Sequence, residues 1–126
     1  MKIPENHQTV MPYLILKNAS KFIDFAQTVF GATITHKTYR VEENSILAHC
    51  ELQIGDSTIM FADATDNFEP QNANLFIYVD DADKRFKMAL DNGATILMEL
   101  SNQDYGRTCG VTDPFGNVWW ITSLPK

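Results

Sequence analysis

Cysteine is scarce in this chain of 126 residues: two are present, Cys50 and Cys109, each among apolar or small neighbours. Neither lies in the paired spacing of a structural metal site, so both read as buried thiols, with a disulfide or a nucleophilic role as the alternatives. Basic charge is also short. Ten Lys and Arg stand against sixteen Asp and Glu, for a net charge of −6 and a pI of about 4.8. Such a surface repels phosphate backbones, and no nucleic acid partner is expected. No apolar run approaches the roughly 18–20 residues of a membrane span. The opening MKIPENHQ lacks the apolar stretch of a signal peptide. The expectation is a cytoplasmic chain with no membrane partner, treated as one domain over residues 1–126.

What is present is a pattern of apolar segments that runs through twice. Val10–Leu16 reads as a strand. Asn18 or Ser20 caps a helix in which Phe22, Ile23, Phe25, Ala26, Val29 and Phe30 recur at helical spacing, and Gly31 stops it. Thr33–Arg40 alternates like an edge strand. Ser45–Ile54 and Ser57–Asp63 form a hairpin around Gly55-Asp56. After the polar linker Ala64–Asn72 come a strand at Asn74–Asp80, a helix capped by Asp80 or Asp81 and ended by Asn92-Gly93, and a strand at Ala94–Glu99. Arg107–Thr112 and Val118–Ser123 close the chain as a hairpin around Asp113-Pro114-Phe115-Gly116-Asn117.

The two halves superimpose residue on residue. Leu14 matches Ile77, Ile23 matches Phe86 and Ala26 matches Ala89, each pair 63 positions apart. Gly31-Ala32-Thr33-Ile34 returns as Gly93-Ala94-Thr95-Ile96 at a spacing of 62, and Gly55-Asp56 returns as Gly116-Asn117 at 61. An internal repeat over 10–63 and 73–123 explains this best. The fold class is therefore α+β: two tandem βαβββ modules forming a curved, partly open mixed sheet with the helices on its convex side. Leu14, Leu16, Leu75, Ile77 and Val79 then pack on helices, and the alternate residues Met11, Tyr13, Ile15, Asn74, Phe76 and Tyr78 face a cleft.

These paired units resemble the vicinal oxygen chelate superfamily, which includes glyoxalase I, extradiol dioxygenases and fosfomycin- and bleomycin-resistance proteins. The start Met11-Pro12-Tyr13-Leu14, the strand His49-Cys50-Glu51-Leu52-Gln53-Ile54-Gly55 and the turn Asp113-Pro114-Phe115-Gly116 resemble its PhnB-like branch. The resemblance implies four side chains around a divalent ion, at positions held here by Met11, Ile59 (or Met60, if the register slips), Asn74 and Trp120. Mn²⁺, Fe²⁺, Ni²⁺ and Zn²⁺ take imidazole, carboxylate or thiolate ligands, which this set lacks. No metal and no other cofactor is expected. The resemblance also implies a homodimer.

Two groups of residues remain as candidates for function. His49 and Glu51 lie two apart on a strand and so point to one face, where an imidazole beside a carboxylate can serve as a general acid and base. Tyr13, Phe76, Tyr78 and Trp120 would line the cleft with rings suited to flat, apolar or cationic molecules. Tyr105 and Arg107 are placed in a loop over its mouth, with Arg107 able to clamp an anion. His7 and His36 have nothing near them in sequence with which to form a site. The expected partner is an unidentified small molecule. The favoured function is metal-independent binding of that molecule, with a resistance or sequestering role as one version. The alternative is a lyase, isomerase or hydrolase using His49 and Glu51, or a metal enzyme with relocated ligands.

Overall fold

A computed structural model describes residues 1–41, 43 and 45–125 of the chain. It divides into two compact units, residues 1–71 and 72–126, each carrying one copy of the repeat. Among the described residues no helix is long and apolar enough to cross a membrane.

In the first unit β1 (Tyr13–Leu16), α1 (Ala19–Phe30), β2 (Thr33–Tyr39), β3 (Leu47–Ile54) and β4 (Ser57–Asp63) follow one another. Their sheet has the order β1-β4-β3-β2, with β1 parallel to β4 and the other pairs antiparallel. The helix forms because its apolar residues share one stripe: Phe22, Ile23, Phe25, Ala26 and Val29 are buried over β3 and β4. Phe22 meets Phe61 of β4 edge to face at 5.0 Å, and full burial of each such ring is worth roughly 1.5–3 kcal/mol. Gly31 ends the helix with φ +70°, a left-handed conformation that costs glycine little. Strand β1 is shorter than the expected Val10–Leu16. Pro12 has no N–H for a ladder, and pairing starts at Tyr13, which leaves Met11 half-buried ahead of the sheet.

The start of α1 is held from a distance. Asn18 occupies the cap position with φ +57° and makes no side-chain cap bond. The helix's Ala19 N–H instead donates to Asp63 Oδ1 at 2.8 Å, while Leu47 N–H donates to Asp63 Oδ2 at 2.7 Å. One carboxylate at the end of β4 thus ties the helix entry to the start of β3. Asp63→Ala leaves two backbone donors without their charged acceptor, and a loss of about 1.5–3 kcal/mol is expected in urea unfolding.

The second unit repeats the order with β5 (Asn74–Tyr78), α2 (Ala82–Asp91), β6 (Thr95–Gln103), β7 (Gly106–Thr112) and β8 (Val118–Ser123), arranged β5-β8-β7-β6. Asp81 caps α2 by accepting from Lys84 N–H at 3.1 Å. Ser123 repeats the role of Asp63, its Oγ accepting the Ala82 N–H at 3.2 Å. Helix α2 lies over β6, β7 and β8, and Leu75 and Ile77 of β5 are only half-buried, although packing against a helix was expected of them.

Strand β6 runs on to Gln103, where Glu99 was the expected end. The polar residues Ser101, Asn102 and Gln103 pair with Thr108, Arg107 and Gly106. Tyr105 therefore sits in a tight turn with Asp104, and Arg107, expected in the same loop, lies in β7. Gly106 makes this possible: its φ is +141°, and a Cβ there would lie 2.5 Å from the Ser123 carbonyl oxygen. Cys50 and Cys109 are fully buried free thiols, and desolvation pushes both pKa values up to about 11. They are packing residues, protonated and poorly nucleophilic.

Candidate functional site

In the first unit, strand alternation sends Cys50 and Leu52 into the core and His49 and Glu51 to the opposite sheet face. The register then sets Glu51 beside Met60 of β4, Met60 beside Tyr13 of β1, and His36 of β2 on the other side of Glu51. His49 Nε2–H donates to Glu51 Oε2 at 2.8 Å, and His7 Nε2–H donates to Glu51 Oε1 at 2.8 Å. An ionised carboxylate can only accept, so both rings carry their proton on Nε2. In the neutral ring Nδ1 of His49 is then the acceptor, and Tyr13 Oη–H donates to it at 3.0 Å. The His36 ring stands 5.7 Å from that of His49, with Nε2 within 2.8 Å of Thr38 Oγ1.

His7 and His36, which have no partner nearby in sequence, enter the cluster only through the fold. The chain ahead of β1 is pinned where Gln8 brackets Thr58: its Nε2–H donates to the Thr58 carbonyl at 2.8 Å and its Oε1 accepts the Thr58 N–H at 3.2 Å. Thr58 Oγ1–H also donates to the Asn6 carbonyl. His7 is thereby carried onto Glu51, 44 residues away.

The hydrogen bond from His7, then that from His49, hold the Glu51 carboxyl below its ordinary pKa against some desolvation. A lowered folded-state pKa means stability that is complete above the unfolded value, about 4.3, and lost as pH falls through the folded value. Glu51→Gln should therefore flatten the acid limb of the stability–pH curve, most visibly below the ordinary glutamate range. Chemical denaturation at a series of pH values measures it.

In the second unit, Trp119 and Ile121 are buried, and alternation puts Trp120 on the other face beside its register partner Phe76. Phe76 and Tyr78 are 52% and 63% exposed, with ring centroids 5.2 Å apart in an edge arrangement. Tyr105 adds a third ring 6.3 Å from Phe76. Trp120 is fixed by a bond from its Nε1–H to Asn74 Oδ1 at 3.2 Å and lies over Gly110, where a Cβ would come within 2.5 Å of the ring. Tyr13 belongs to the first unit, where its partner is His49. Arg107 is engaged: Nε and Nη2 donate to Asp83 Oδ1 and Oδ2 at 2.9 and 3.1 Å, so this residue, a candidate anion clamp or plain surface arginine in the sequence, closes an internal fork. A cavity of about 510 Å³ at the start of α1 involves Lys17, Lys21 and Asp63, but none of the expected site residues.

The positions implied for a metal divide between the units and suit no divalent ion. Register pairs Tyr13 with Met60 as it pairs Phe76 with Trp120, so Met60 is the counterpart of Trp120. Of the two expected candidates, Ile59 and, with a slipped register, Met60, the second holds the position and Ile59 does not. It lies instead on the helix face with Phe61 and is buried. The slip arises because the turns differ: Gly55-Asp56 spans two residues, whereas Asp113–Asn117 spans five, so matching turn glycines misaligns the strands by one. Met11 and Met60 offer thioethers, Trp120 has no ligand atom, and the Asn74 oxygen already accepts the indole N–H. Among the described residues no group of three or more His, Cys, Asp or Glu has metal-binding geometry.

A family model described as the glyoxalase/bleomycin resistance protein/dioxygenase superfamily matches residues 7–121. An uncharacterized protein of Mycobacterium bovis is 29% identical over 120 residues, covering 86% of this chain and 78% of its own. Among solved structures, the PhnB protein of Bacillus cereus superimposes with a TM-score of 0.73 at 17% identity, over 93% of this chain and 100% of that one. TnmS3, an antibiotic binding protein from a Streptomyces species, gives 0.70 at 17% identity, over 94% and 100%.

Proposed function

Because the chain belongs to the glyoxalase/bleomycin resistance protein/dioxygenase superfamily, we propose that it is a metal-independent small-molecule-binding protein of this fold, with a sequestering role. The observation that carries the reading is the ring patch of the second unit. Phe76, Tyr78 and Tyr105 leave large aromatic surfaces exposed on the sheet face opposite the buried Trp119 and Ile121. Exposed rings clustered in this way suit a flat ligand, because stacking needs only a π-face and little reorganisation. The net charge of −6 favours a cationic ligand, which the ring faces also attract. That the similarly folded TnmS3 is an antibiotic binding protein is in keeping with this choice of ligand class.

The residues at the implied metal positions support the metal-free part of the reading, since none presents a free donor suited to a divalent ion. The test is an equilibrium titration of the purified protein with bleomycin and with acridine orange, a planar aromatic cation, followed by dye and tryptophan fluorescence. Saturable binding of one molecule per chain is expected for at least one of the two. Absence of saturation for both would count against the reading.

A further inference from the structure

We propose that Tyr13, His49 and Glu51 form a general-base site that draws a proton from the hydroxyl of a small phenolic or enolic ligand. The site lies wholly within the first unit and stands independently of the ring patch. Its geometry is a directed chain. The Glu51 carboxylate accepts from His49 Nε2–H at 2.8 Å, and in the neutral imidazole this leaves Nδ1 to accept from the Tyr13 hydroxyl at 3.0 Å. Because that hydroxyl spends its own proton on His49, its free lone pairs can only accept. Tyr13 is 47% exposed, so those lone pairs are open to a donor from solvent. A ligand O–H is the complementary group.

The transfer balances without any other reactant. The ligand's O–H bond breaks and its proton joins Tyr13 Oη as the Tyr13 proton passes to His49 Nδ1. The products are a ligand oxyanion and an imidazolium, whose charge faces the Glu51 carboxylate. Reversal of the two transfers restores the start. Tyr13 is the group that touches the ligand, and His49 takes the proton through it. Glu51 is a positioning residue, itself held by His7 Nε2–H at 2.8 Å. Burial, and then the Glu51 charge, raise the Tyr13 pKa, which keeps the phenol protonated at rest and makes it a relay instead of a standing phenolate. Among the described residues, His7 from the chain ahead of β1 and His36 from β2 are the other titratable groups on this face.

The probe is 4-nitrophenol, whose phenolate absorbs at longer wavelength than the phenol. Bound to the protein across a pH series, it should ionise about tenfold more readily than free probe, a shift of about one pH unit. Tyr13→Phe and His49→Gln should each abolish the shift, and Glu51→Gln should reduce it, with near-ultraviolet circular dichroism confirming that each variant is folded. Long-range ¹H–¹⁵N spectra of the unliganded protein should show His49 protonated on Nε2 and bare on Nδ1 at neutral pH. No saturable binding, binding without a shift, a shift that survives Tyr13→Phe and His49→Gln, or the opposite His49 tautomer would each overturn the proposal.

Discussion

Asp113→Ala is expected to destabilise the protein by about 3–5 kcal/mol, the largest loss of any single substitution considered, because it strips the acceptor from a buried network. Asp113 is 4% exposed, and four donors converge on it. Phe115 N–H and Asn117 N–H donate to Oδ1 at 2.9 Å, while Asn117 Nδ2–H and Trp119 Nε1–H donate to Oδ2 at 3.0 and 2.9 Å. Asn117 is fully buried, and its own Oδ1 accepts the Ala73 N–H at 3.2 Å. The carboxylate therefore sets the β7–β8 turn, the indole of Trp119 and, through Asn117, the entry to β5. Asp113→Asn should fall between, since it keeps one oxygen but turns an amide donor toward the other two donors. A shift in the urea midpoint at unchanged slope would confirm the effect, and a loss below about 1 kcal/mol would refute it.

The double change Phe76→Ala with Tyr78→Ala should cost the opposite currency: binding without stability. Stacking on an exposed ring is worth about 1–3 kcal/mol, so removing both should weaken a flat ligand by about 2–4 kcal/mol, or roughly 30- to 800-fold in Kd. Both side chains are more than half exposed, and their truncation opens no cavity. The thermal midpoint should therefore stay within a few degrees of the parent's. Titration with whichever probe binds the parent decides the point. Unchanged affinity would remove the ring patch from the account, and collapse of the fold would show that the rings are core.

The Asp113 network and the exposed rings meet on one strand. Asp113 positions β5 through Asn117 and Ala73, and β5 presents Phe76 and Tyr78. A partial loss of binding in Asp113→Asn, with intact rings, is the expected signature of that dependence.

Much of the fold is legible because it is local. Gly31 marks the end of α1, Asp81 caps α2, and the Gly55-Asp56 turn makes its hairpin within a few residues of chain. The repeat shows through because each module solves the same packing problem in the same order. What escaped was set by register and by distant partners. Turns of two and five residues offset the register by one from the glycine match, which makes Met60, and not Ile59, the counterpart of Trp120. The α1 cap escaped because Asp63 lies 44 positions beyond Ala19. His7 and His36 looked inert for the same reason, since Glu51 reaches His7 only after Gln8 has pinned the chain to Thr58. Arg107 read as available because nothing in sequence pairs it with Asp83, 24 positions earlier. By contrast, His49 and Glu51 were found correctly on one face, since a two-residue spacing on a strand fixes that on its own.

The central claim is binding without the family's ion, and calorimetric titration measures it most directly. The protein is stripped with chelator and titrated with bleomycin or acridine orange, then titrated again after addition of Mn²⁺, Ni²⁺ or Zn²⁺. The same affinity and stoichiometry are expected in every case, with heats abolished by the Phe76 and Tyr78 changes. Binding that appears only with a tightly held divalent ion would contradict it.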